Sequence, residues 1–260
     1  MNDSTGHVAQ RSVFLIGGYE PKSSDAFFKR TRRELARFCG TWNVSAKMSE
    51  QTLSQDGLVA TAHVDSNMHG QSVGTQLNFF VWNDIVLADF ARPTIVRLAR
   101  YGLTFIDYVL SGTFFRIVAQ AWRFSLYFLY PAVMLAVFSA LASVLGLATA
   151  KLSQPWLGGP VALSSGVVLG CLGLYGLLRW SGRRWYVLHL MDLWSFSRDH
   201  LRGLRPDAEQ HIERFAQSIV ERARASADDE IVLVGHSTGG ALILEIAARA
   251  VQLEPTLGQS

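Results

Sequence analysis

The chain has 260 residues, 24 of them basic and 21 acidic, for a formal net charge of +3; 49% are hydrophobic and only 17% charged. That balance excludes a disordered, highly charged polypeptide, which cannot bury enough apolar surface to offset the entropy of ordering. With 22 glycines and 2 cysteines the chain fits neither a collagen-like repeat nor a disulfide-stapled scaffold.

In chain order, the polar start Met1–Gln10 lacks the apolar core of a cleavable signal peptide. Ser12-Val13-Phe14-Leu15-Ile16 reads as a short strand that ends in the tight turn Gly17-Gly18. Ser24 is expected to cap a helix whose apolar face (Phe27, Phe28, Leu35, Ala36, Phe38) runs to about Phe38. Residues 44–48, 58–64 and 77–81 are strand candidates, and the polar stretch Gly70-Gln71-Ser72-Val73-Gly74 reads as a loop. From Pro93 to Arg123, apolar residues such as Ile95, Leu98, Ile106, Leu110 and Phe115 alternate with arginines. Two arrangements fit: amphipathic helices at a membrane surface, or helices packed on a soluble domain.

No charged residue occurs from Phe124 to Ala150, or again from Leu152 to Leu178. A hydrocarbon core about 30 Å thick needs about 20 apolar helical residues. Spans are therefore expected near Ser125–Leu147 and Val161–Trp180, joined by a loop that Pro155, Gly158, Gly159 and Pro160 punctuate. Arg97, Arg100, Arg116 and Arg123 flank the first span, and Arg179, Arg183, Arg184 and Arg198 the second, whereas the connection carries only Lys151. The positive-inside rule then makes this a multi-pass membrane protein with both soluble segments cytoplasmic and the lipid bilayer as its partner. Juxtamembrane arginines account for the basic balance, and no nucleic-acid-binding pattern is present. Gly166 and Gly170, continued by Gly173, and the pair Ser139/Ser143 have the spacing that lets helices approach closely in lipid. Either the two spans pack on each other, or the Gly166/Gly170 face forms a homodimer. With no charge inside either span, no ion pathway is indicated. Cys39 and Cys171 suggest no disulfide framework.

Beyond the spans, residues 207–224 have helical periodicity through Ile212, Phe215, Ile219 and Val220. Ile231-Val232-Leu233-Val234 is apolar on both faces of the pleat, as in a parallel strand covered on both sides. A helix over about 241–251 follows. The expected organisation is one half of an α/β domain in 1–92, membrane-surface helices in 93–123, a transmembrane hairpin in 124–180, and the other half in 181–260. An even number of spans leaves both halves on one side, free to build a single parallel sheet with flanking helices.

Gly235-His236-Ser237-Thr238-Gly239 matches G-x-S-x-G, and Gly240 follows it. The same pattern occurs at Gly70–Gly74, but only Ser237 stands between an apolar strand and a helix. That context is the one a nucleophile elbow requires, with glycines permitting a strained turn and close helix packing. Residues 231–251 resemble the nucleophile strand, elbow and helix of the α/β-hydrolase superfamily. Phe14–Tyr19 resembles that family's early strand, which ends in an oxyanion-hole loop. The resemblance implies a serine hydrolase of esterase, lipase or thioesterase type with Ser237 as nucleophile. It implies an oxyanion hole from the backbone N–H of Thr238 and that of Gly18 or Tyr19. An ester, thioester or amide carbonyl is the implied target; a lipid-like ester or thioester is expected because the sheet would sit near the bilayer, and no cofactor or metal is called for. His63 and His69 lack further ligands, and no phosphate-binding glycine loop is present.

The family places its acid and its histidine after the serine. Here neither His nor Asp follows Ser237, and only Glu245 and Glu254 are acidic. Upstream stand His7, His63, His69, His189, His200 and His211, while His236 is placed to shape the pocket. A nucleophile strand with no later strand to pair would leave an apolar edge open. The expectation is thus a chain lacking its C-terminal part, inactive alone. The alternative is a catalytically inactive hydrolase-like scaffold or assembly subunit at the membrane.

Overall fold

The computed structural model describes residues 8–68 and 70–258; His7, His69 and the side chain of Arg183 lie outside the described residues. The chain divides into two compact units, one formed up to Asp89 and from Arg205 onward, the other by Phe90–Leu204.

The first unit is built on a mixed sheet of β1 (Gln10–Ile16), β2 (Ser45–Met48), β3 (Thr52–Leu53), β4 (Val59–Met68), β5 (Gln71–Phe80) and β6 (Glu230–Gly235). The order is β2-β4-β5-β1-β6, with β3 on β4. β1 is parallel to both β5 and β6, so both halves of the chain contribute to one sheet. It is not the parallel sheet expected: β4 is antiparallel to β2, β3 and β5. The reason is local. Met68 pairs with Gln71, and Gly70 at φ +83 turns the chain back at once, which only antiparallel neighbours allow. Ser72 accordingly lies on β5 opposite Asn67, whose Nδ2 donates to its Oγ, and not in a loop.

Both faces of the sheet are covered. Phe14 stacks on Phe80, and Phe80 on Phe215 of α7 (Pro206–Ala225), with ring centroids 5.5 and 4.3 Å apart. On the other face Phe27 of α1 (Ser24–Trp42) stacks on Phe79 at 4.3 Å, while Phe28 is buried with Ala60 and Ala62. Helix α1 is capped by Ser23, which accepts from the Ala26 N–H, rather than by Ser24. It runs past Phe38 until Asn43 takes the left-handed position that ends helices. After β6 comes α8 (Thr238–Leu253), packed on α7 through a face that buries Leu242, Ile243 and Ile246. Among the described residues β6 pairs only with β1.

Asp56, in the turn before β4, is tied to Arg214 of α7. Hydrogen bonds from Arg214 and from the Ser54 hydroxyl hold its carboxyl down to about 2, against an ordinary 3.8. A carboxylate with a depressed folded value contributes stability above its unfolded value and loses it as the pH falls through the folded one. Denaturation midpoints should therefore drop between pH 3.8 and about 2. Asp56→Asn should remove about 1 kcal/mol of that dependence, a modest amount because the pair is partly exposed.

The second unit holds α3 (Thr94–Leu110), α4 (Thr113–Leu157), α5 (Gly159–Arg184) and α6 (Val187–Leu201), preceded by the end of α2 (Asn83–Phe90). Helices α4 and α5 are long and apolar enough to cross a membrane. The single residue Gly158, at φ +76, reverses the chain between them, and Pro155 falls inside the last turn of α4 rather than in a loop. Helix α4 departs from helical geometry at Ala121. Its early part, where the first span was expected to begin, buries Ser125 and Phe128; Phe128 packs against Tyr108 of α3 and Trp194 of α6. The later part runs beside α5. A methyl carbon built on Gly166 would lie 2.5 Å from the Gly146 carbonyl, and one on Gly170 3.1 Å from that of Ala142. The Gly166/Gly170 face is thus occupied within the hairpin. On α4 its counterpart is Ala142, Gly146 and Ala150, whereas Ser139 and Ser143 are exposed. Small residues on both helices let the backbones touch.

Candidate active site

Strand β6 sits in register with β1 so that Gly235 lies opposite Ile16 and the His236 N–H donates to the Ile16 carbonyl at 3.1 Å. One residue on, Ser237 adopts φ 57 and ψ −125. Asn43 and Tyr186 also have positive φ, but both are in the ordinary left-handed well; Ser237 is not. Such a conformation costs on the order of 1–3 kcal/mol in a non-glycine residue and persists only where its surroundings enforce it.

The surroundings are glycine. Helix α8 begins at Thr238, and its first turn closes with Gly239 N–H donating to the His236 carbonyl and Gly240 N–H to that of Ser237. A methyl carbon on Gly235 would come within 2.5 Å of the Gly239 carbonyl, and one on Gly239 within 2.5 Å of the Gly17 carbonyl. Strand, bend and helix are therefore pressed together backbone to backbone, and the Ser237 side chain is turned outward. Ser237 and His236 are exposed. The Ser237 hydroxyl makes no hydrogen bond among the described residues.

Gly18 abuts this serine. A methyl carbon on Gly18 would lie 3.1 Å from Ser237 Cβ and 3.5 Å from its Oγ. Thr238 occupies the first position of α8, where a helix leaves its amides without internal partners and the helix dipole favours negative charge. An exposed hydroxyl, a glycine backbone beside it and a helix N-terminus beneath it are thus gathered at one point. The chain matches no protein family, no characterised protein and no solved structure in the comparisons made.

The loop Gly17–Tyr19 is held from behind. Trp82 Nε1 donates to the Gly17 carbonyl at 3.2 Å, and the Trp82 ring meets Tyr19 edge-on. Tyr19 is itself buried, and its hydroxyl donates to Asp89 Oδ2 at 2.6 Å. Asp89 also accepts from Arg205 Nη1 at 2.7 Å, and Arg205 forms a fork with Asp207. Of the two expected loop donors, Gly18 is the one whose Cα faces Ser237; the Tyr19 side chain anchors the loop. Nothing local in the sequence marks Trp82, Asp89 or Arg205 as supports, because their partners lie far along the chain.

The histidines are dispersed. His63 is exposed on β4, His189 meets the rings of Phe90 and Tyr186, and His200 stacks on Phe196. His211, on α7, lines a small apolar cleft with Ile16, Trp82, Ile85 and Leu242. Its Nδ1 bonds the Asp207 carbonyl, and its Nε2 lies 3.2 Å from Asp84 Oδ2 without the alignment of a hydrogen bond. Among the described residues, none of these rings hydrogen-bonds Ser237. Glu254 is engaged by Arg224, and Glu245 is exposed on α8.

Proposed function

We propose that this protein is a membrane-anchored serine hydrolase of the α/β-hydrolase type, acting through an acyl-enzyme at Ser237. The observation that carries the reading is the strained, outward-facing conformation of Ser237 between β6 and α8, with Gly18 against it. Strain of this kind is retained where it presents a group for reaction.

In the proposed step Ser237 Oγ bonds to the carbonyl carbon of an ester or thioester while its proton passes to solvent water, because no described histidine is hydrogen-bonded to it. The carbonyl oxygen becomes an oxyanion, which the N–H groups of Thr238 and Gly18 would stabilise. Collapse of the tetrahedral intermediate expels the alkoxide or thiolate, which takes up a proton, and water then releases the acyl group. Two membrane-crossing helices favour a lipid-like acyl substrate, and their arginine flanks favour a cytoplasmic position for the sheet. The unpartnered Ser237 hydroxyl favours a second reading, a non-catalytic scaffold with the same fold, because a serine without a base is a weak nucleophile.

A fluorophosphonate probe on the full chain in membranes decides between them. Covalent labelling that Ser237→Ala abolishes, and Gly18→Val reduces, supports the hydrolase. Labelling indifferent to Ser237→Ala overturns it, and a native chain that takes no label favours the scaffold.

A further inference from the structure

Helix α3 is inside-out. Its exposed residues are Ile95, Val96, Ala99, Leu103, Ile106 and Leu110, all apolar and spaced along one face over its whole length. Leu110 is 82% exposed. The opposite face, directed at α6, carries the charges. Arg97 pairs with Asp192, Arg100 with Asp199, and Asp107 with both Arg198 and Arg202. Tyr101, Thr104 and Tyr108 on that face are buried. Helix α6, which receives these partners, is buried or half-buried from Val187 through His200.

A helix at a water-facing surface does the reverse, turning charge outward and apolar side chains inward. Ion pairs turned to the inner side of a helix whose outer face is purely apolar suit a hydrocarbon surrounding, where an unpaired charge is costly and an exposed Leu costs nothing. The same unit contains the two helices able to cross a membrane. The apolar surface continues from Leu110 across the short connection to Phe115, Trp122 and Phe124 of α4, all exposed. At 17 residues, α3 is about 25 Å long, enough to lie along the acyl–headgroup boundary with most of its face immersed.

We infer that α3 is a bilayer-docking element, its face from Ile95 to Leu110 seated in lipid while the Arg–Asp pairs with α6 keep its charges out of it. The occupant of this face is the acyl region of a phospholipid bilayer. A second copy of the chain and bulk water are the competing occupants.

The full chain, with Cys39 and Cys171 replaced by serine, is reconstituted in phosphatidylcholine vesicles. Single cysteines at Leu103 and Ile106, and at the exposed Glu221 of α7 as a control, then carry an environment-sensitive fluorophore. Fluorescence from 103 and 106 should be quenched by nitroxide-labelled lipid and protected from aqueous iodide at least about fivefold relative to 221. Equal iodide access at all three positions would overturn the inference in favour of water. Protection without lipid quenching, accompanied by 103-to-103 disulfide cross-links when the unlabelled Leu103→Cys variant is treated with an oxidant, would overturn it in favour of a dimer. Positions 103, 106 and 221 are exposed, and folding is checked by unchanged melting of each labelled variant in detergent.

Discussion

Gly239→Ala should cost about 3 kcal/mol of stability or more, while Gly240→Ala, one residue away, should be neutral or slightly stabilising. Both glycines lie in the first turn of α8, so propensity alone would favour alanine at each. The difference lies in what the added methyl meets. At 239 it would stand 2.5 Å from the Gly17 carbonyl and 2.6 Å from that of Ile16. Both are backbone atoms at the end of β1, and the Ile16 carbonyl already accepts from the His236 N–H. Neither can yield without parting β1 from β6. At 240 the nearest atom would be the Gly235 carbonyl at 3.7 Å, an ordinary contact. Lifting α8 at 239 would also draw Ser237 away from Gly18, so labelling of the serine should fall along with stability. Urea midpoints of the two variants give the answer directly. Equal effects would mean that the helix is not seated on the strand as described.

Asp89→Ala should cost about 3 kcal/mol, because it leaves a buried guanidinium short of its partner. Asp89 and Arg205 are 1% and 4% exposed. Burial opposes the charge on Arg205, but hydrogen bonds to Asp207 and Asp89 outweigh it and raise the guanidinium above its ordinary value. Arginine has no route to neutrality, so the charge stays when Asp89 is removed. Asp89→Leu combined with Arg205→Leu should be milder than Asp89→Ala alone, since it removes both charges together. Tyr19→Phe, which deletes only one donor to Asp89, should cost about 1 kcal/mol. A denaturant series on the three variants checks the ranking, and a double replacement worse than Asp89→Ala would contradict it.

What the sequence discloses about this fold is what neighbouring residues determine. The bend at Ser237 is legible because an apolar strand, a glycine cluster and a helix follow one another within twenty-odd residues, each with its own pattern. Gly17-Gly18 is legible for the same reason, and its position beside Ser237 follows once β1 and β6 pair in parallel. The β4–β5 hairpin is longer than its apolar residues suggest. Its outer half is polar on both faces, with Asn67 opposite Ser72, so no alternation marks it as strand. Hydropathy finds the long helices but not their neighbours. It cannot tell that Phe128 faces α3 and α6, or that Ala142 and Gly146, not Ser139 and Ser143, meet α5. Helix α6 goes unrecognised because Asp192, Arg198 and Asp199 look like solvated charges until their partners on α3 are known. The pairing of Asp89 with Arg205 bridges a separation of 116 residues and leaves no local trace.

Asp89 and Arg205 also stand at the two points where the chain leaves the sheet unit and returns to it. Their side chains touch, so the exit and the re-entry form the two sides of a narrow stem, bolted shut by an ion pair. For the sheet, everything between them is topologically a single surface loop. Loop closure grows only with the logarithm of length, so an inserted domain of this size taxes the host little more than a short connector would. The stem would therefore accept inserts of very different size without disturbing the strand order.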